Sequence, residues 1–260
     1  MKRDLYFSKP LMNAAGMLGF APDTRSGVSL ESLGAFVTNP FSLRPRSPAA
    51  QPAVLDYPGG FLFHTGLPNP GLQAGLKKYS AKWSRLDLPV IVHLMADRPE
   101  ETQRMVRMLE SEENVMAAEL GFAPLLAKDI IHLTLEMCLG ELPLIFSLPV
   151  EQVLSIGPRL IQEGAQAISI AAPRGALFPS PSPSREQGGR VVTGRLYGPS
   201  LFPQTLETVY SAGKIGLPLL GAGGVWTKEN AEAMLSLGAL AVQVDAALWN
   251  PGSTFLAPTP

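Results

Sequence analysis

Cysteine is nearly missing from this chain: Cys138 stands alone among 260 residues. A single thiol excludes an internal disulfide and a cysteine metal cluster. Histidine is almost as scarce, at three residues, and with the scattered acids it forms no metal-ligand spacing. No apolar run reaches the ~18 residues of a membrane span, and Met1–Pro10 has no apolar signal segment. Basic blocks are absent and the net charge is −1, so nothing marks a nucleic-acid partner. Neither a P-loop nor a serine elbow occurs. These absences predict a cytoplasmic protein without a metal, a membrane anchor or a nucleic-acid ligand.

What is present is apolar and rhythmic. Hydrophobic residues make up 46% of the chain, and its length is that of one (β/α)8 barrel. Eight short apolar runs read as strands: Leu11–Ala15, Ala35–Thr38, Pro89–Leu94, Val115–Leu120, Leu144–Leu148, Ala167–Ala171, Leu217–Gly221 and Ala241–Asp245. Helical patterns fall between them at Pro99–Ser111 (with Asp97 as N-cap), Ala127–Leu139, Glu151–Glu163, Ser200–Ala212 and Lys228–Leu237. This alternation predicts parallel strands with crossover helices, a TIM barrel spanning residues 1–260 as one domain. Two long segments break the rhythm. Phe41–Leu72 is rich in proline and glycine, and residues 173–195 contain FPSPSPSREQGGR, which predicts a flexible Ser/Pro-rich loop. Both follow the carboxyl ends of strands, where such barrels place their sites.

The GAGG turn at Gly221–Gly224 lies between a strand and a helix opening at Thr227. Glycines there allow backbone N–H groups to approach an anion, and the helix dipole would add to the attraction. A steric need for glycine in a tight turn accounts for the same letters.

Several segments carry a resemblance in the same order along the chain: PLMNAAGMLGF (10–20), GAFVTNPFSLRPR (34–46), HTGLPNPGL (64–72), PVIVHLMADRPEE (89–101), GRLYGPSLFP (194–203) and Gly221–Trp249. Together they resemble the dihydroorotate dehydrogenase family, in its soluble cytosolic class. The resemblance implies an FMN-type barrel and a pyrimidine-pathway oxidoreductase that converts dihydroorotate to orotate. It places Ala15, Gly16, Asn39, Ser147, Gly198, Gly223, Gly224, Asp245 and Ala246 around FMN, and Thr65, Gly66, Leu67 and Asn69 on the substrate.

Matched position by position, the chain departs from the family at its polar groups. Asn39 stands where the family has a lysine near the flavin, and Ser147 where it has another. Phe63 replaces an asparagine. Gly121, Ala123 and Pro124 replace the stretch that supplies the catalytic base, and Ala171 or Ala172 replaces a further asparagine. Losing a positioned base costs ~10²–10⁴ in rate. At the phosphate end, Arg195 and Tyr197 enter a glycine-rich turn, and Asp245 takes a glycine's place beside Ala246. A carboxylate beside a phosphate is unfavourable without a cation: either an Arg195–Asp245 pair excludes FMN, or Asp245 points away and backbone N–H groups still bind the phosphate. Two functions follow: a dihydroorotate dehydrogenase-like flavin oxidoreductase with divergent substrate or weakened activity, or a catalytically degenerate barrel serving as a binding or regulatory partner.

Among the remaining residues, His64 in the expected substrate loop is the candidate acid/base. The alternation of its strand predicts that His93 points into the barrel, and Glu119 ends the fourth strand as a ligand contact or a buried acid. His132 reads as an ordinary helix residue and Cys138 as a buried thiol. The tail LWNPGSTFLAPTP opposes the long final helix that the resemblance implies, leaving a shortened C-terminus and an apolar wall. A homodimer partner, or the electron-transfer subunit with FAD and an iron–sulfur cluster known from one branch of the family, would cover that wall.

Overall fold

The computed structural model describes residues 5–23, 28–124, 126–179, 191–250 and 252–255. Its strands are β1 (Leu11–Asn13), β2 (Phe36–Val37), β3 (Ala53–Tyr57), β4 (Gly60–His64), β5 (Val90–Met95), β6 (Val115–Gly121), β7 (Leu144–Leu148), β8 (Ala167–Ile170), β9 (Arg174–Leu177), β10 (Val192–Tyr197), β11 (Leu219–Ala222) and β12 (Ala241–Val244). Six α-helices are described: α1 (Leu72–Trp83), α2 (Pro99–Leu109), α3 (Lys128–Cys138), α4 (Val150–Glu163), α5 (Phe202–Lys214) and α6 (Lys228–Ser236).

Eight of the strands form one parallel sheet in the order β1-β12-β11-β8-β7-β6-β5-β2. They coincide with the eight apolar runs expected to be strands. The sheet closes on itself through one parallel bridge, Met12 to Ala35. The seam there is short of backbone pairing, and a side chain completes it. Asn13 Nδ2 donates to the Val37 carbonyl at 2.6 Å, and Asn13 Oδ1 accepts from the Val37 N–H at 3.0 Å. The fold is thus a closed TIM barrel.

Alternation along the strands sorts the interior into layers. Met12, Val37, Ile91, Ala117, Ile145, Ala167, Leu220 and Ala241 pack together as an apolar plug inside the barrel. Two residues further along most of these strands, the inward positions turn polar: His93, Glu119, Ser147, Ser169 and Gln243, all buried. The outward-facing residues meet the helices. Helix α2, for example, buries Thr102, Met105, Val106 and Leu109 on one face, which is the i, i+3, i+4, i+7 pattern.

Both expected loops contain regular structure. Within Phe41–Leu72, β3 and β4 form a hairpin; β9 and β10, from either side of the Ser/Pro-rich stretch, pair with each other. The result is an antiparallel sheet, β3-β4-β10-β9. The core of the expected flexible loop, residues 180–190, lies outside the described residues. Two helix readings also need correction. Arg98, not Asp97, is the N-cap of α2, and its side chain makes no capping bond; Pro99 at the first helical position removes one of the N–H groups a cap would serve. Helix α1 directly follows the predicted loop and was not anticipated.

Candidate functional site

A cavity of about 310 Å³ opens at the carboxyl ends of the barrel strands. Its lining joins the barrel's polar layer (His93, Glu119, Ser147, Gln243) to side chains of the added sheet (Phe63, Arg174, Arg195, Tyr197). Of the residues expected in the site, Ala15, Gly16, Asn39, His64, Thr65, Gly66, Leu67, Ser147, Gly223 and Asp245 line this one cavity. Gly198, Gly224, Ala246 and Asn69 do not.

Asn69 has other work. Its Oδ1 accepts from the N–H groups of Ser42 and Gly71 and from the Ser42 hydroxyl, and its amide donates to the Leu67 carbonyl at 3.2 Å. Thr65 Oγ1 accepts from the Leu67 N–H at 3.2 Å. Between them these bonds hold Leu67 at φ 55, a left-handed conformation that a leucine seldom adopts. Asn39 in turn accepts from the Gly19 N–H through Oδ1. It is a short neutral amide tied to a turn, with no charge to offer the cavity.

The floor of the cavity is a hydrogen-bonded cluster centred on Glu119. His93 Nδ1 lies 2.7 Å from Glu119 Oε2, while Ser169 Oγ and Gln243 Nε2 donate to Oε1 at 2.6 and 2.8 Å. Burial alone would raise the Glu119 pKa. The hydrogen bond and charge of His93, then the bonds from Ser169 and Gln243, outweigh it and hold the carboxyl below its ordinary value. An ionised Glu119 accepts, so His93 Nδ1 carries the proton in this hydrogen bond. The ring fits because position 121 is glycine: a Cβ there would meet Nε2 at 2.4 Å. The signal for this cluster was present in sequence as a polar residue two places after an inward apolar one, in Ile91/His93, Ala117/Glu119, Ala167/Ser169 and Ala241/Gln243. Only the register, which sets His93 opposite Glu119, turns that pattern into a contact.

At the other end of the cavity, Gly223 and Gly224 follow β11 with φ of 93 and 73. Successive left-handed glycines turn backbone N–H groups toward a common point. Close packing demands glycine here as well, since a Cβ on Gly224 would lie 2.3 Å from the Phe202 nitrogen. The start of α6 adds little, because it caps itself: Thr227 accepts from the Asn230 N–H, and Asn230 Oδ1 accepts from the Trp226 and Thr227 N–H groups. The buried carboxylate of Asp245 faces this turn. The N–H groups of Ala246, Gly224 and Asp245 itself favour its charged form, but burial dominates and raises its pKa to about 6. Its Oδ1 has no hydrogen-bond partner.

The Arg195–Asp245 pair expected from sequence does not form. Arg195 lies on β10 directly across from Arg174 on β9, and its Nη1 donates to the Ala172 carbonyl at 3.2 Å. What stands near Asp245 is aromatic. Tyr197 packs 6.3 Å from Trp249, and Phe63 packs 5.3 Å from Trp249, ring centre to ring centre. Trp249 is anchored through Nε1 to the Met17 carbonyl. The buried Tyr197 hydroxyl is raised to about 12 by its burial, with Asp245 adding to the shift. Elsewhere, His132 pairs with Glu163 at 2.5 Å on the helical surface, and burial pushes the Cys138 thiol up to about 12, as suits a packed, inert thiol. Among the described residues no cluster of His, Cys, Asp and Glu could hold a metal ion, and no helix is long and apolar enough to cross a membrane.

A closed barrel of parallel strands, with a polar cavity at their carboxyl ends, defines the class: a TIM-barrel protein with its cavity on the face where such barrels place their sites. Comparison with known proteins gives the family. The model named dihydroorotate dehydrogenase matches residues 3–122. A Pelobacter propionicus protein named dihydroorotate dehydrogenase B (NAD(+)), catalytic subunit, is 30% identical over 258 residues, covering 94% of this chain and 84% of that relative. A Desulforudis audaxviator protein of the same name is 28% identical over 267 residues, covering 96% and 86%. In the solved ligand-free DHODH of Eimeria tenella the same fold recurs, at TM-score 0.74 and 15% identity, over 98% of this chain and 87% of that one. This chain belongs to the dihydroorotate dehydrogenase family, a family of oxidoreductases.

Proposed function

We propose that this chain is a dihydroorotate dehydrogenase-like flavin oxidoreductase whose action on dihydroorotate is weakened or redirected to another substrate. The observation that carries this reading is the exchange at the cavity floor. Gly121 has no side chain, and the imidazole of His93, oriented by Glu119, fills the space beside it. His93 lines the cavity with its imidazole held in place by Glu119, and a positioned histidine is the side chain that most often serves as a general acid or base. His64, which also lines the cavity, is the other candidate acid/base. Arg46, Arg174 and Arg195 in the same lining favour a small anionic substrate. An acid/base group is therefore at hand, at a different position from the one the family resemblance implies.

The test is dihydroorotate oxidation with an artificial electron acceptor, run beside the Pelobacter propionicus relative. Turnover on the order of 10²-fold or more below the relative is expected. Equal turnover, unaffected by His93→Gln, would refute the reading.

One observation favours a second reading, a barrel that binds a partner or ligand without catalysis. Backbone N–H groups at Gly224 and Ala246 are suited to an anion, but the carboxylate of Asp245, whose Oδ1 has no partner, already faces them. A phosphate dianion does not fit beside that carboxylate, and so the FMN implied by the family does not fit in its ordinary form. The curated relatives are named as catalytic subunits, which supports an electron-transfer subunit as partner; a homodimer is the alternative. Light scattering on the purified chain, alone and after co-expression with the electron-transfer subunit of the Pelobacter propionicus relative, distinguishes the two.

A further inference from the structure

The turn after the seventh barrel strand and the end of the eighth are where β/α barrels commonly hold a phosphate. Here Asp245 supplies a negative group of its own at that place. The carboxylate is buried, lines the cavity, and is faced by the N–H groups of Gly224 and Ala246. One of its oxygens, Oδ1, is buried without any hydrogen-bond partner. A buried acceptor without a donor is costly in a folded protein and points to a ligand that would bring one. No described cation neutralises it, because Arg195 turns to the Ala172 carbonyl. The surrounding wall is aromatic, from Tyr197 and Trp249, and these rings bring no positive charge to offset a dianion.

We infer that Asp245 inverts the polarity of this pocket, so that it rejects a phosphate and takes a ligand ending in a hydrogen-bond donor, a hydroxyl or an ammonium group. Where the ligand is a flavin, an inference that rests on the functional reading above, the preferred form is the dephosphorylated one. Its terminal hydroxyl would donate to Asp245 Oδ1, whereas the phosphate of FMN would meet a carboxylate. Asp245 is then the residue that determines which form of the cofactor is accepted.

Two measurements on the full chain test this, each with wild type, Asp245→Ala and the near-isosteric Asp245→Asn, all checked for native circular dichroism. In the first, riboflavin and FMN are titrated by flavin fluorescence. Wild type is expected to bind riboflavin at least tenfold more tightly than FMN, and both variants to lose or reverse that preference. Wild type that prefers FMN, or a preference that neither substitution changes, overturns the inference. In the second, inorganic phosphate is added during thermal unfolding. Phosphate is expected to raise the midpoint of Asp245→Ala and not that of wild type; an equal response of the two overturns the inference. If neither flavin binds any of the proteins, the flavin reading fails, and the phosphate measurement alone decides the role of Asp245.

Discussion

A methyl group on Gly121 would lie 2.4 Å from Nε2 of His93, so the two positions share one volume. Gly121→Ala should drive the imidazole off Glu119 and cost about 1–3 kcal/mol, the usual penalty for overpacking a buried site. Urea unfolding measures it. The double variant with His93→Ala should recover part of the loss, since neighbouring changes are not additive. Additive losses would show that the two side chains do not compete for space.

Glu119 makes the fold sensitive to acid. Its folded pKa is depressed, so its contribution is complete above the ordinary value of 4.5 and is lost as pH falls below it. Glu119→Gln should therefore destabilise by about 1–3 kcal/mol at neutral pH, with the two proteins converging below that value. A constant difference across the acid range would show that the charge of Glu119 is not what holds the cluster.

Asp245 acts with the opposite sign. Its pKa rises from 3.8 to about 6 on folding, so the folded state binds the proton more tightly and wild-type stability falls as pH climbs from 3.8 to 6. Above that window the ionised carboxylate weakens the fold by about 3 kcal/mol. Asp245→Asn should then be the more stable protein at pH 7 to 8, and its advantage should fade below the window. Thermal midpoints across this range give the answer, and a less stable Asn variant at neutral pH would contradict the assignment.

Asn13 should matter more than a polar residue at the end of a three-residue strand usually does. Asn13→Ala leaves the N–H and C=O of Val37, both buried, without their partners. A loss of about 2–4 kcal/mol is expected in chemical denaturation. Asn13→Asp should recover only the bond from the Val37 N–H, because a carboxylate cannot donate to the carbonyl.

The barrel was legible in the sequence because a buried parallel strand is a short apolar run, and β5, β7 and β12 read as such runs in any context. The added sheet was not. Strand β3 alternates half-buried and exposed residues and stands among prolines, while β9 and β10 are separated by the Ser/Pro-rich stretch, so each lacks a local signal for its partner. The candidate site divides in the same way. Residues belonging to a contiguous motif, such as Thr65 to Leu67 and Gly223, were found in the cavity. Glu119 and Gln243 are joined across the barrel interior, and Arg195 and Asp245 are kept apart, by strand order and register, which no local pattern expresses. A carboxylate and a guanidinium on neighbouring loops suggested a pair. The structure instead places Arg195 beside Arg174.

The seam between β1 and β2 has a consequence for how the chain is made. Leu11 pairs with Val242, so the first strand cannot take its place until a partner more than two hundred residues downstream has been synthesised. Contacts of such long range form slowly, and the edge of β1 that takes β12 stays open until they do. On the ribosome the nascent barrel must wait as an open, curling sheet, its N-terminal strand held only by the short seam with β2 until the last barrel strand emerges. The Asn13 amide then fastens the ring where the backbone provides only one rung.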